Sequence, residues 1–268
     1  MNTIASDGPS SVERVVRRDR LLMSLSLLVL TALAWGYLVR AAATMQAMNM
    51  EAQMHAAMGM ADMRPWAVAQ WLELFAMWAV MMVGMMVPSA APVILLVLGV
   101  YRRRHDPRAR LSAVAFVAGY LVCWAVFSAA AAAGQVGLHR GALMAADMRL
   151  SSAAISGVVL LLAGVYQWLP IKNACLTHCR SPFGFVSQFW REGTGGALRM
   201  GIRHGLFCVG CCWVLMVLLF VVGVMNLFWV AAIAGFVLLE KLTRGGAVLG
   251  RVAGVALGAW GLYLLVSA

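Results

Sequence analysis

The sequence predicts an all-α, polytopic transmembrane helical bundle with about six to seven spans, and three observations predict it. Of its 268 residues, 63% are hydrophobic and only 12% charged, against roughly half and a quarter in soluble domains. Apolar runs long enough to cross a hydrocarbon layer of about 30 Å recur along the whole chain. The basic residues gather between alternate runs. In lipid each segment must satisfy its own backbone hydrogen bonds, which an α-helix does internally and an open strand does not.

Apolar runs and their breakers place spans at about 20–40, 66–87, 111–134, 150–169, 203–224, 226–241 and 246–266. The first follows Arg14, Arg17, Arg18 and Arg20. With Ala41-Ala42-Ala43 behind it the segment resembles a signal peptide, but its apolar part of about 20 residues is longer than a usual signal core, which favours an uncleaved anchor. The stretch from Trp66 to Tyr101 is too long for one perpendicular crossing at about 1.5 Å per residue. Pro88 and Pro92 are expected to kink or end it, leaving its last part tilted or re-entrant. The third and fourth spans follow as ordinary apolar runs. The fifth carries a cysteine cluster, the sixth is short enough to pair with a neighbour as a hairpin, and the seventh carries Gly250, Gly254 and Gly258. Such a small-residue ridge serves close packing, against a partner helix or within the bundle.

With the N-terminus cytoplasmic, 17 of the 21 Lys and Arg residues fall in cytoplasmic segments, and Arg40, Arg64, Arg140 and Arg149 fall outside. This is the positive-inside bias. The net charge of +11 therefore reads as topology and contact with anionic membrane lipid, and no nucleic acid partner is expected. The expected organisation is a cytoplasmic tail over 1–19 and one transmembrane domain over 20–268. That domain includes a Met-rich outer loop at 41–65 and a Cys-containing cytoplasmic loop at 170–202.

Two groups of residues carry chemistry. The outer loop holds Met45, Met48, Met50, Met54, His55, Met58, Met60 and Met63. Thioether sulfur is a soft ligand that needs no deprotonation, which suits exchangeable capture of copper(I); magnesium or calcium would call for carboxylates. The alternative is that methionine fills gaps in an interfacial amphipathic helix. Continuing inward, turns of about 100° per residue align Gln70, Glu73, Met77, Met81 and Met85 on one side of the second span. A carboxylate such as Glu73 in a span faces a cavity or a partner, unless its nearness to Trp66 lets it reach the interface.

The second group is Cys175, His178 and Cys179, followed by His204, Cys208, Cys211 and Cys212. On a helix His204, Cys208 and Cys211 or Cys212 share one face, and so would Cys175, His178 and Cys179. Five of the six cysteines fall here, leaving Cys123 for packing. On the side of a reducing cytoplasm, metal binding is favoured over disulfides, with Lys172, Arg180 and Arg203 placed to favour the thiolate form. Copper(I) is the leading ion, zinc suits the same ligand types, and cysteine as a small buried apolar residue is the plain alternative.

The stretch Trp78 to Pro88, the stretch Lys172 to Pro182 with its Cys175-Leu-Thr-His-Cys179 core, and Gly201 to Met216 with Cys208-Val-Gly-Cys-Cys-Trp213 resemble DUF2182. This is a bacterial family of metal-binding integral membrane proteins. The similarity extends through Met225-Asn226 and Glu240-Lys241 and covers roughly 66–245. It implies that the Met-rich second span and the Cys clusters act as one unit in a bacterial inner membrane; the loop at 45–63 lies outside it.

The expected function is therefore to capture, relay or transport copper(I) between Met-rich outer sites and Cys/His inner sites. The alternative is an accessory or assembly subunit that loads metal into a partner membrane protein, or exchanges it with a metallochaperone. There is no P-loop glycine motif and no phosphorylated-aspartate signature, which argues against active pumping. No paired axial histidines or catalytic triad order can be read, so the chain is not expected to be an enzyme.

Overall fold

In the computed structural model the chain is described over residues 11–57, 68–145, 148–243 and 245–268. The described residues are almost wholly helical: α1 Ser11–Ala57, α2 Val68–Arg103, α3 Ala109–Arg140, α4 Ala153–Tyr166, α5 Pro170–Arg180, α6 Pro182–Phe189, α7 Gly193–Val217, α8 Leu219–Val222, α9 Leu227–Leu242 and α10 Gly246–Val266. Among the described residues five spans are long and apolar enough to cross a membrane: Arg17–Met45, Trp71–Arg103, Ala109–Arg140, Gly193–Val222 and Gly246–Val266. The pair α4 and α5, bent by 64°, supplies a sixth if it counts as one broken span. The architecture is that of a helical membrane bundle. The expected sixth span, 226–241, is α9; its 16 residues rise about 24 Å, short of the roughly 30 Å of hydrocarbon.

The helix α2 runs through both of its prolines, so of the two expected outcomes, a kink or an end, they do not produce an end. Pro88 cannot donate to the Gly84 carbonyl one turn back. That carbonyl instead accepts from Trp35 Nε1 at 3.3 Å, a repair supplied by α1. At the end rich in arginine, Asp19 of α1 is buried and ion-paired to both Arg102 and Arg110, joining α1, α2 and α3.

Glycines let two helix pairs approach closely. A methyl group on Gly201 of α7 would strike the Phe116 carbonyl of α3, and one on Gly119 the Leu198 carbonyl. We expect Gly201→Ala to force these helices apart and cost about 1–3 kcal/mol, seen as a lower thermal midpoint of the detergent-solubilised protein; an unchanged midpoint would refute the contact. On the other side, Gly157 and Gly164 of α4 face Gly261, Gly254 and Gly258 of α10. The small-residue ridge of the last span is thus used largely inside the bundle.

The segment expected as a cytoplasmic loop, 170–202, is α5, α6 and the first turns of α7. Ser152, Ser181 and Asn226 cap α4, α6 and α9 through their side-chain oxygens, as short polar residues do at helix starts.

Candidate metal centre

Four cysteines meet in the core where α5, α7, α9 and α2 converge. Cys179, Cys208, Cys211 and Cys212 are each 6% exposed or less, and none of them is in a disulfide. Cys179 Sγ and Cys211 Sγ lie 3.9 Å apart, and the sulfurs of Cys179, Cys211 and Cys212 all interact with Cys208. The spacing explains the convergence: Cys208, Cys211 and Cys212 share one face of α7, and the thiols of Cys211 and Cys212 donate back to the Cys208 carbonyl at 3.1 and 2.7 Å.

Met86 joins this cluster from α2, its Sδ 3.9 Å from Cys212 Sγ. Along α2 Met86 stands about 22 Å from Trp71 and about 24 Å from Arg102 at roughly 1.5 Å per residue. The thiols therefore sit near the middle of this helix. Met77, Met81 and Met85 are buried on α2 as well, at 4%, 0% and 2% exposure. Met86, one residue beyond the expected track of Met77, Met81 and Met85, brings its sulfur to a thiol.

One lysine is part of the centre. Lys241 at the end of α9 is buried, its Nζ 2.9 Å from Cys208 Sγ and 3.0 Å from Ser89 Oγ. Tyr120 Oη lies 3.1 Å from the same sulfur. Of these neighbours the thiol is the strongest acid and so the readiest source of negative charge for a buried ammonium, and buried charges are otherwise costly. Composition hid this residue among the loop cations; its signal was a Glu-Lys pair closing an apolar run, since charges at membrane depth mark functional sites.

The cations expected near the thiols act elsewhere. Lys172 pairs with Glu240 and Gln167, Arg180 donates to the Thr243 carbonyl, and Arg203 lies over the Phe189 ring. His204 does join the site region: it is 2% exposed, one turn from Cys208, packed against Phe116, Tyr120 and Phe185, and its Nδ1 has no hydrogen-bond partner among the described residues. Cys175 is only half-buried, at the margin beside Gly210. His178 is stacked on Phe207 with Nδ1 2.9 Å from the Ala174 carbonyl. Glu73 is exposed and lines a cavity at the far end of the bundle. The side chains of Met48, Met50, Met54, His55 and Gln70, and all of Met58, Met60 and Met63, lie outside the described residues.

Among the described residues no group of three or more His, Cys, Asp or Glu side chains is placed to hold a metal ion together. What the core offers is sulfur in pairs. Two thiolates about 2.3 Å from one ion, the usual metal–sulfur bond length, can be as much as about 4.6 Å apart, and the 3.9 Å of Cys179 and Cys211 falls within that reach. Soft donors in a buried core fit copper(I).

Fold and centre together define a helical membrane protein with a buried, sulfur-rich site. The chain matches the family described as PpoB2, copper chaperone, over residues 75–264 and belongs to that family. The match takes in every cysteine of the core and the methionines of α2 from Met77 onward. No curated protein and no solved structure matches the chain.

Proposed function

We propose that this protein is a copper(I) chaperone of the bacterial inner membrane with its N-terminus in the cytoplasm. It holds the ion on Cys179, Cys208, Cys211 and Cys212, and exchanges it along the thioethers of α2. The observation that carries this reading is the 3.9 Å approach of Met86 to Cys212, which joins the methionine helix to the thiol core. His204 is the candidate nitrogen ligand, and Cys175 and His178 stand at the margin as secondary donors. The ion is cargo and not the agent of a reaction, in keeping with a chaperone and against an enzyme. Thioethers bind more weakly than thiolates, so the core retains the ion and the methionines pass it on.

In a second reading the chain loads copper into a partner membrane protein, which is in keeping with a copper chaperone family. It differs from the first only in where the ion goes next. Zinc is the competing ion for the thiols. Elemental analysis of the reduced protein, purified anaerobically in detergent, decides the metal. Copper at or above one equivalent is expected; zinc in its place, or no metal above background, overturns the reading.

Lys241 is expected to set the affinity. A copper(I) ion held by two thiolates carries one net negative charge, and a buried ammonium beside Cys208 offsets it. Hydrogen bonds to charged groups contribute about 1.5–3 kcal/mol, so Lys241→Met should weaken copper(I) binding about 10- to 150-fold in a competition titration with a chromogenic chelator. Lys241→Gln keeps a donor for Ser89 but not the charge, and should fall equally far. If the Gln variant binds like the parent, the charge is irrelevant.

A further inference from the structure

At the end of the bundle opposite the arginine-rich surface, a cavity of about 850 Å³ opens between α1 and α2 and is closed by the turns at 148–150 and 223–225. Met45, Met77, Met148 and Met225 line it, with Arg40 of α1 and Glu73 of α2 also in the lining. Four of its thirteen lining residues are methionine, against 19 of 268 in the chain. The four come from four separate segments, so no single helix periodicity explains why they coincide.

Two features show that one of these sulfurs is placed with care. Met148 has φ 57°, a left-handed conformation that costs a side chain such as methionine free energy and that glycine or asparagine would adopt more easily. Its Sδ accepts from Gln135 Nε2 at 3.3 Å, and Gln135 Oε1 in turn accepts from the buried Trp78 Nε1 at 2.7 Å. The turn is pinned beside Met225 by the Leu150 amide donating to the Phe220 carbonyl at 2.8 Å and the Val224 amide to the Met148 carbonyl at 3.4 Å. A mere gap-filler needs neither a strained backbone nor a buried amide to orient it.

We propose that Met45, Met77, Met148 and Met225 form a second, thioether-only site for copper(I), an exchange mouth through which the ion enters or leaves the α2 methionines. Met77 belongs to both the cavity and α2, and Met86 lies about 14 Å further along the helix. The proposal rests on the reading of this protein as a copper(I) carrier. Thioethers bind without losing a proton, so this site takes the ion without the proton release that thiols require. The positively charged cargo is balanced by Glu73, and Arg40 is available to balance Glu73 when the cavity is empty.

The test uses Ag(I), a soft, air-stable stand-in for copper(I), in chloride-free detergent buffer. The full chain with all six cysteines, Cys123, Cys175, Cys179, Cys208, Cys211 and Cys212, replaced by Ser should still bind Ag(I), with an affinity that does not change with pH between about 6 and 8, where thiols would titrate. Adding Met45→Leu, Met148→Leu and Met225→Leu, which conserve volume, should weaken that binding about tenfold or more. Met77 is left intact so that a result on the mouth is not a result on α2. Binding unchanged by the three leucines would place the ion on other thioethers, such as those of Met48 to Met63, and overturn the proposal, as would no binding in the cysteine-free chain. If the parent chain itself binds neither Ag(I) nor copper(I), the carrier reading falls as well, so the two failures are told apart. Should the cysteine-free chain not fold, the parent decides the matter: bound Ag(I) should protect Met45, Met148 and Met225 from peroxide conversion to sulfoxide, read by mass spectrometry, and equal oxidation with and without Ag(I) would refute the site.

Discussion

Serine at Cys179, Cys208, Cys211 and Cys212 together is expected to remove tight copper(I) binding, lowering affinity by about 1000-fold or more, on the order of 4 kcal/mol. The change is nearly isosteric and keeps a donor for the Cys208 carbonyl, which Cys211 and Cys212 already contact at 3.1 and 2.7 Å. Packing and helix geometry should therefore survive, and the loss should report the exchange of soft sulfur for hard oxygen. Single variants should rank by position in the core. Cys208→Ser, whose sulfur touches Lys241, Tyr120 and the other thiols, should cost the most. Cys175→Ser and His178→Ala, at the margin, should cost little. Equal affinities for Cys208→Ser and parent in an anaerobic chelator competition would mean that the metal is held elsewhere.

The helical membrane class and the shared helix face of the cysteines within each cluster were legible because both rest on periodicity and chemistry that a single chain displays. Hydrophobic runs predict spans, and i, i+4 spacing puts Cys208 and Cys212 on one face of α7. Three features were not legible. Depth was one: Cys179 was assigned to a loop because Lys172, Arg180 and Arg191 surround it, yet α5 carries it into the core and Lys172 is itself buried. The choice among methionines was another. Met81, Met82, Met85 and Met86 are all buried, and the approach of Met86 to Cys212 is a tertiary contact that the helix period does not encode. Tertiary repair was the third, since Trp35 of α1 satisfies the carbonyl that Pro88 leaves open, and nothing local to α2 announces it. The approach of Met148 to Met225 likewise depends on long-range backbone hydrogen bonds that no sequence period encodes.

Lys172→Met is expected to be among the most destabilising single substitutions in the molecule. Lys172 and Glu240 are 1% and 2% exposed at their side chains and pair directly, with Gln167 completing the shell of the ammonium. They sit where α4 breaks into α5 and where α9 meets α10; a methyl group on Gly250 would press on the Glu240 carboxylate. Removing one partner of such a pair strands a charge without water, at a cost of about 3–5 kcal/mol. Thermal unfolding in detergent should fall sharply for Lys172→Met and for Glu240→Leu. The double variant should recover much of the loss, because replacing a whole buried pair by apolar side chains of similar volume is often close to neutral. That recovery separates a stranded charge from simple loss of packing, in which case the two losses would add. It also bears on copper: the pair fixes Glu240, hence the end of α9, hence Lys241 against Cys208. A double variant that folds but binds copper(I) more weakly than the parent would show the pair acting as a positioning device for the centre. One that folds and binds as the parent does would leave the pair a role in stability alone.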